Sequence, residues 1–340
     1  MNMMSLPRRR IGPLDVSAIG LGCMSLSENY GAPPPPEVAE TVLLRALELG
    51  IDYFDTAALY GFGENETLLG RVLKPHRGRI VLASKCGVTG VDGRRVVDNR
   101  PETLRRTCEE SLRRLRTDVI DLYYLHRLDR RVPIEDSIGA LADLVRAGKI
   151  RCIGLSEMSA ATLRRAHAVH PVAAVQSEYS LWTREPEIAV FDACRELGAA
   201  FVAFSPLARS FLTGALHDPA AQFEPGDIRL GMPRFQPANF RTNLALLEPY
   251  RQIAAEAGCS MAQLALAWVL AKAPFIVPIT GTKNPRHLEE SVGAAAVSLA
   301  PEIVTRLDRL INQRTVAGPR YNETTQKDID TETFDAAQGT

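Results

Sequence analysis

VIDLYYLHRLDRRVPIEDSIGALADLVRAGKIRCIGLS, residues 119–156, contains one complete structural unit. Its opening run is apolar and rich in β-branched and aromatic residues, as expected of a strand buried on both faces. A polar turn follows, then a Pro-opened segment with helical spacing of Ile, Leu and Val that closes at Gly148, then a second apolar run. This βα pattern recurs along the chain. Strand-like runs are AIGLG near 18, IDYFD at 51, IVLASK at 80, VIDLYYLH at 119, RCIGLS at 151, AAVQ at 173, AFVAFS at 200 and FIVPI at 275. Between them lie helical segments such as PEVAETVLLRALELG, PETLRRTCEESLRRLR, SAATLRRAHAV and SMAQLALAWVLA. Eight such units predict an α/β fold of the (β/α)8 TIM-barrel type rather than two Rossmann halves.

The expected organisation is a single domain over residues 1–340, with a core of about 15–313 and a C-terminal tail of about 314–340. RRRIGPLDVSAIG reads as an N-terminal β-hairpin around a Gly-Pro turn, placed to plug one end of the barrel. The aperiodic connection 207–240 and the polar segment after Val316 read as long mouth loops. Within that segment Arg320 and Tyr321 are candidates to fold back over a site, and the last dozen residues are expected to be mobile.

The 340 residues are 46% hydrophobic, with 40 Lys plus Arg against 40 Asp plus Glu. A neutral total gives no general attraction to nucleic acid or to an anionic membrane, so neither is an expected partner and a small molecule is. Six scattered cysteines without a CxxC pair fit reduced thiols and point to neither a disulfide framework nor a metal site. MNMMSLPRRR lacks an apolar core of signal-peptide length, and no run approaches a membrane span. A cytoplasmic location is expected, and the oligomeric state is left open. GLGCMS at 20–25 begins like a dinucleotide fingerprint but ends in Ser and lacks the acidic residue that should follow, so it is set aside.

Three strand runs end in groups that a buried strand should avoid: Asp55, Lys85 and His126. In a parallel barrel these ends converge on one mouth, where Tyr60 can join them from the loop after Asp55. A phenol titrates near pH 10, so a neighbouring cation such as Lys85 would be needed to stabilise its phenolate. Asp55 would hold that cation, and His126 would orient a substrate oxygen. Such a group protonates an oxygen gaining negative charge, as a carbonyl does when it accepts hydride from a cofactor. Taken singly, each residue is more often a helix cap, a surface charge, a core histidine or a packed aromatic than a catalytic group.

With IDYFDTAALYG, VLASKCG, DLYYLHR, IRCIGLSE, AAVQSEYSLWTRE, FSPLARSFLTG, PRFQPANF and PITGTKNPRHLEES, the chain resembles the aldo-keto reductase superfamily, in its bacterial and plant NADPH-dependent branch. The resemblance covers nearly the whole chain. It implies NADPH as cofactor, reduction of aldehydes or ketones to alcohols, and Asp55, Tyr60, Lys85 and His126 as the catalytic tetrad with Tyr60 the proton donor. It further implies Ser156 and Gln176 on the nicotinamide carboxamide and Phe204 stacked on its ring, where relatives usually have Tyr or Trp. Ser205, Pro206, Leu207 and Arg209 would pass over the pyrophosphate, with Arg234 a further phosphate contact. Ala208 and Ser210 stand where glycine is frequent, which implies a loop of different flexibility.

By the same resemblance Gly281, Thr282, Lys283, His287, Glu290 and Ser291 belong to the adenosine 2′-phosphate and adenine site. A lysine before a helix N-terminus favours an anion on physical grounds also. Ser291 replaces a usual Asn, and Asn284 a frequent basic residue. Cys23 and Met24 would lie beside the nicotinamide, and Met24, Tyr30, Trp182 and Phe240 would line the substrate pocket. The resemblance leaves two other functions open: the same catalysis run as NADP-dependent alcohol or sugar oxidation, and a nucleotide-loaded regulatory subunit like the potassium-channel β subunits. His126, from which those subunits depart, favours the enzyme.

Overall fold

The computed structural model describes residues 6–91 and 94–334. Eight parallel strands, β1 (Gly20–Gly22), β2 (Tyr53–Asp55), β3 (Val81–Cys86), β4 (Ile120–Leu125), β5 (Ile150–Ser156), β6 (Val172–Glu178), β7 (Ala200–Phe204) and β8 (Ile276–Thr280), pair in chain order. β8 pairs back with β1 through Ile279 opposite Gly20, so the sheet closes into a barrel. Helices α1 (Pro36–Glu48), α2 (Glu64–Leu73), α3 (Pro101–Leu115), α4 (Ile134–Arg146), α5 (Ala160–Val169), α6 (Val190–Leu197), α7 (Met261–Lys272) and α8 (Pro285–Gly293) follow the strands in turn.

Local chemistry explains the helix boundaries. Pro36 and Pro101 open α1 and α3 at positions whose N–H would have no intrahelical partner. The Ser159 hydroxyl accepts the Thr162 N–H at the start of α5, and Ser260 and Gln263 cap α7 reciprocally. The strands alternate with a period of two. Tyr53, Ala83, Leu122, Tyr124, Ala174, Val202 and Val277 share one apolar cluster, while Phe54, Leu82, Tyr123, Val175 and Phe201 belong to the larger one that includes the helices. The same alternation carried to the strand ends puts Asp55, Lys85 and Gln176 in line with Tyr53, Ala83 and Ala174 along the interior.

The N-terminal hairpin forms from Arg8–Ile11 and Leu14–Ser17, and its Ile11, Leu14 and Val16 join the interior cluster. A second hairpin, Val88–Val91 against Arg94–Val97, rises from the β3–α3 connection and was not legible as strands in the sequence. The connection after β7 contains short helical turns and two regular helices, Pro237–Leu244 and Leu247–Glu256. No single helix among the described residues is long and apolar enough to cross a membrane.

The first of the last dozen residues, which the sequence reading expected to be mobile, are packed against the barrel. Ile329 is buried, the Asp330 N–H donates to the Glu157 carbonyl, and the Asp330 carboxylate accepts from Ser159 and Thr162 at the head of α5. Residues 335–340 lie outside the described residues.

Gly154 in β5 faces the Tyr124 ring, and a Cβ there would sit 2.3 Å from a ring carbon. Gly154→Ala is expected to displace that ring and destabilise the fold by about 1–3 kcal/mol, measured as a lower urea midpoint with unchanged slope.

Candidate active site

The C-terminal ends of the strands surround a cavity of about 1050 Å³. Asp55 and Lys85 from the strand ends meet Tyr60 from the following loop at its floor. Asp55 and Lys85 are each 1% exposed and form an ion pair, and Lys85 Nζ also donates to the Thr56 carbonyl at 2.9 Å and to the Tyr60 hydroxyl at 3.2 Å. Because the ammonium donates to the phenol oxygen, the phenol's own hydrogen is free to point into the cavity. Asp55 Oδ2 accepts from Gln176 Nε2 at 2.7 Å and from Tyr53 Oη at 3.4 Å, and Tyr53 and Tyr124 share a hydroxyl contact of 3.0 Å. Asp55 therefore has polar partners at both oxygens.

Tyr60 sits where the chain turns sharply: Gly61, Phe62 and Gly63 all take left-handed angles, with φ of 54°, 51° and 98°. Glu28 accepts the Gly61 N–H at 3.1 Å, and buried Asn65 bonds Thr56 Oγ1, the Cys23 carbonyl and Ser27 Oγ. Asn65 thus ties the loops after β1 and β2 together. The sequence reading missed it because a single Asn on an amphipathic helix carries no signal of its own.

Burial dominates the electrostatics. It raises the Tyr60 phenol above its ordinary value, with Lys85 pulling the other way. The cation thus moderates the phenol without bringing it below the usual range. Burial also pushes Lys85 down, but Asp55 outweighs it and the ammonium is held charged. His126, 7% exposed with its ring 5.9 Å from that of Tyr60, is driven well below its usual range by burial and then by Arg127, Lys85 and Arg95. It is a neutral imidazole, and its Nδ1 is buried without a partner.

Most of the remaining expected residues line the same cavity: Cys23, Met24, Tyr30, Ser156, Gln176, Phe204, Ser205, Pro206, Leu207, Arg209, Gly281, Thr282, Lys283 and His287. Ser156 Oγ accepts from Arg127 at 3.2 Å, and Gln176 is already committed to Asp55. Ser205, Ala208, Arg209 and Ser210 all take left-handed angles despite having side chains. The loop is pinned by Ala208 N–H to the Ser205 carbonyl at 2.9 Å and by Arg209 paired with Glu178 at 2.7 Å.

Lys283 Nζ donates to the carbonyls of Tyr30 and Ala32 at 2.6 and 2.7 Å, immediately before α8, whose N-cap is Asn284. Glu224 accepts the Ala32 N–H, the Ile228 N–H donates to the Asn29 carbonyl, and Arg229 lies 5.0 Å from the Tyr30 ring centre. The β1 loop and the long β7 loop therefore meet across the groove.

Five expected residues lie elsewhere. Trp182 is buried between Phe211 and Phe235 with ring separations of 3.9 and 5.6 Å, and Phe240 packs on Phe211 and Phe235. Both belong to an aromatic core under the long loop. Arg234 is enclosed as well, donating to the Trp182 and Gly318 carbonyls and to Thr183 Oγ1, so it braces the tail instead of facing the cavity. Ser291 Oγ is spent on the His287 carbonyl one turn back, and neither Ser291 nor Glu290 reaches the cavity lining.

Arg320 and Tyr321 do fold back. Arg320 pairs with Glu157 at 2.8 Å and Glu178 at 3.1 Å, and the Tyr321 hydroxyl accepts from Arg209 and Arg320. Burial works against the Glu178 charge, but Arg209 and Arg320 outweigh it and hold that carboxyl at about 2. Arg320→Leu removes one cation and strands buried carboxylates, with an expected loss of about 3–5 kcal/mol at neutral pH. A depressed carboxyl stabilises above its unfolded value of about 4.3, and this is lost as pH falls toward about 2. The gap between wild type and variant in urea melts should therefore narrow on acidification.

A sequence profile of the Aldo/keto reductase family matches residues 18–312. The aldo-keto reductase yakc [NADP(+)] of Schizosaccharomyces pombe is 45% identical over 325 residues, covering 94% of this chain and 95% of that one. Among solved structures, the glycerol dehydrogenase from Gluconobacter oxydans superposes with a TM-score of 0.84 at 29% identity, covering 99% of this chain and 100% of that one. A holo-form aldo-keto reductase from Bacillus halodurans gives 0.76 at 27% identity, over 94% and 99%. With the barrel, its plugging hairpin and the Asp55–Lys85–Tyr60 cluster at the mouth, these likenesses agree on one conclusion: the chain belongs to the aldo/keto reductase family.

Proposed function

We propose that this single-domain protein is an NADPH-dependent oxidoreductase that reduces aldehyde or ketone carbonyls to alcohols, with Tyr60 as proton donor. The observation that carries the reading is Lys85 Nζ, buried and bonded at once to Asp55 and to the Tyr60 oxygen on the floor of the large cavity. The chain's own groups suit a dinucleotide. The cavity is at the upper end of ordinary ligand sites. Ser25 Oγ and Thr280 Oγ1, from residues in its wall, are buried without partners. Lys283 before α8 offers a cation and a helix N-terminus to a 2′-phosphate. The Ser156 hydroxyl and the second amide hydrogen of Gln176 are donors for a carboxamide, and Phe204 offers an aromatic face.

When bound, NADPH supplies hydride to the carbonyl carbon. The chain manages the charge that then develops on oxygen. Neutral His126 orients that oxygen by hydrogen bonding, and Tyr60 gives it a proton. Lys85 stabilises the phenolate left behind, and Asp55 fixes Lys85 in place. The enclosed floor limits competing water. The same groups run alcohol oxidation in reverse, with Tyr60 accepting the proton. A cytoplasmic setting accompanies this reading, supported by six free cysteines, five of them buried.

Tyr60→Phe should lower carbonyl reduction by about 10²–10⁴-fold while leaving NADPH binding in place, measured by cofactor oxidation and by fluorescence titration. Near-normal turnover would overturn the assignment. Because a proton donor works below its pKa, and burial raises that of Tyr60, kcat/KM for reduction should stay level through neutral pH and fall only above about pH 10. Neutral His126 should add no inflection near 6.5.

A further inference from the structure

The hydride and proton chemistry leaves two arginines near Tyr60 and His126 unused. Arg127 directly follows His126 at the end of β4, and Arg95 comes from the hairpin after β3. Both line the cavity together with Tyr60 and His126. The hairpin packs on the Tyr60 loop, since a Cβ on Gly90 would lie 2.3 Å from the Phe62 ring. The two guanidinium charges act on each other and on His126, so they flank the reacting end of the cavity.

Their partners do not balance them. Arg95 pairs with Asp328 of the tail at 3.1 Å, with both side chains partly exposed. Arg127 has no carboxylate within ion-pair distance among the described residues. Its Nη1 donates to the His126 carbonyl at 2.6 Å and to Ser156 at 3.2 Å, and its Nε is buried with no acceptor. Other carboxylates in the cavity wall are committed. Asp55 belongs to Lys85, Asp227 to Arg229, and Glu28 accepts from the Gly61 N–H and the Asn29 amide. Arg127 keeps a charge that no carboxylate pairs and a buried donor, and a buried donor without an acceptor is costly. Lys283 leaves the barrel after β8 and Arg127 after β4, four strands apart around the closed sheet, so this positive end is separate from the one suited to a nucleotide phosphate.

We infer that Arg95 and Arg127 form an anion subsite at the substrate end, and that the favoured carbonyl substrate carries a single carboxylate remote from the carbon being reduced. This rests on the proposed reductase function. The carboxylate would accept from Arg127 and share or displace the Asp328 contact of Arg95, in the bidentate geometry for which guanidinium groups are suited. Asn322 and Thr325, which the tail contributes to the cavity wall, are neutral.

The test compares 4-formylbenzoate with 4-formylbenzamide, matched in size and differing in charge, as substrates of the NADPH-loaded protein. The carboxylate should be preferred in kcat/KM by roughly tenfold or more, chiefly through KM, and the preference should shrink as ionic strength rises. In Arg95→Gln the ratio should move toward one, with partial recovery in Arg95→Lys. Equal use of the two aldehydes by the wild-type protein would overturn the inference while leaving the reductase reading intact. A variant that loses both activities in proportion would mark Arg95 as structural and also overturn it. If neither aldehyde is reduced, the reductase reading fails for these substrates. Calorimetric titration of both compounds into NADP-loaded protein then decides the subsite alone: tighter carboxylate binding supports it, and equal binding refutes it.

Discussion

The rest of the site depends on a buried charge pair that would be unstable if either member stood alone. Removing Lys85 and Asp55 from water costs several kcal/mol per ion in a protein interior, on the order of the whole stability margin of a domain. The barrel can hold the pair because its interior alternation delivers both side chains to one point from β2 and β3. Every remaining polar atom is also supplied: the Thr56 carbonyl and Tyr60 hydroxyl for the ammonium, Gln176 and Tyr53 for the carboxylate. The same pair then gives a buried phenol a fixed cationic neighbour. Burial alone would make Tyr60 a reluctant acid, and the adjacent ammonium lowers that barrier without exposing the site to water.

Loops carry what the strands cannot. The wall over the long groove is built from backbone contacts between the β1 and β7 loops, with Lys283 holding two carbonyls of the first. Four consecutive or nearby residues with side chains, Ser205, Ala208, Arg209 and Ser210, are kept in left-handed conformations beside it. Such strain persists only when the surroundings over-determine it, and the buried Arg209–Glu178–Arg320–Glu157 network does so. It ties the loop to the tail, so that residues far apart in sequence close one side of the cavity together.

The strands, and the meeting of Asp55, Lys85 and His126 at one mouth, were legible because each depends on a short local pattern. VIDLYYLH can be read as a buried strand from its own residues, and a charged group ending such a run is conspicuous wherever it falls. The plugging hairpin was legible for the same reason, through the Gly-Pro turn and alternating Ile11, Leu14 and Val16. Trp182, Phe240 and Arg234 misled because an aromatic or a basic residue in a connection between regular elements reads the same whether it faces a ligand or a core. The structure buries all three under the long loop, where the arginine's donors meet carbonyls instead of phosphate. The tail past Ile329 was equally illegible, since its polar residues find their partners on α5 and the β5 end, a long-range match that no local pattern encodes.

The most direct test of this account is a fluorescence titration of the purified protein with NADPH and NADH, followed by absorbance-monitored oxidation of the bound cofactor on adding a carbonyl compound. The account predicts tighter binding of NADPH and oxidation that requires the carbonyl. Tight binding without oxidation by any aldehyde, ketone or, in reverse, any alcohol would contradict it and point to a nucleotide-sensing role, and absence of binding would refute the cofactor assignment itself.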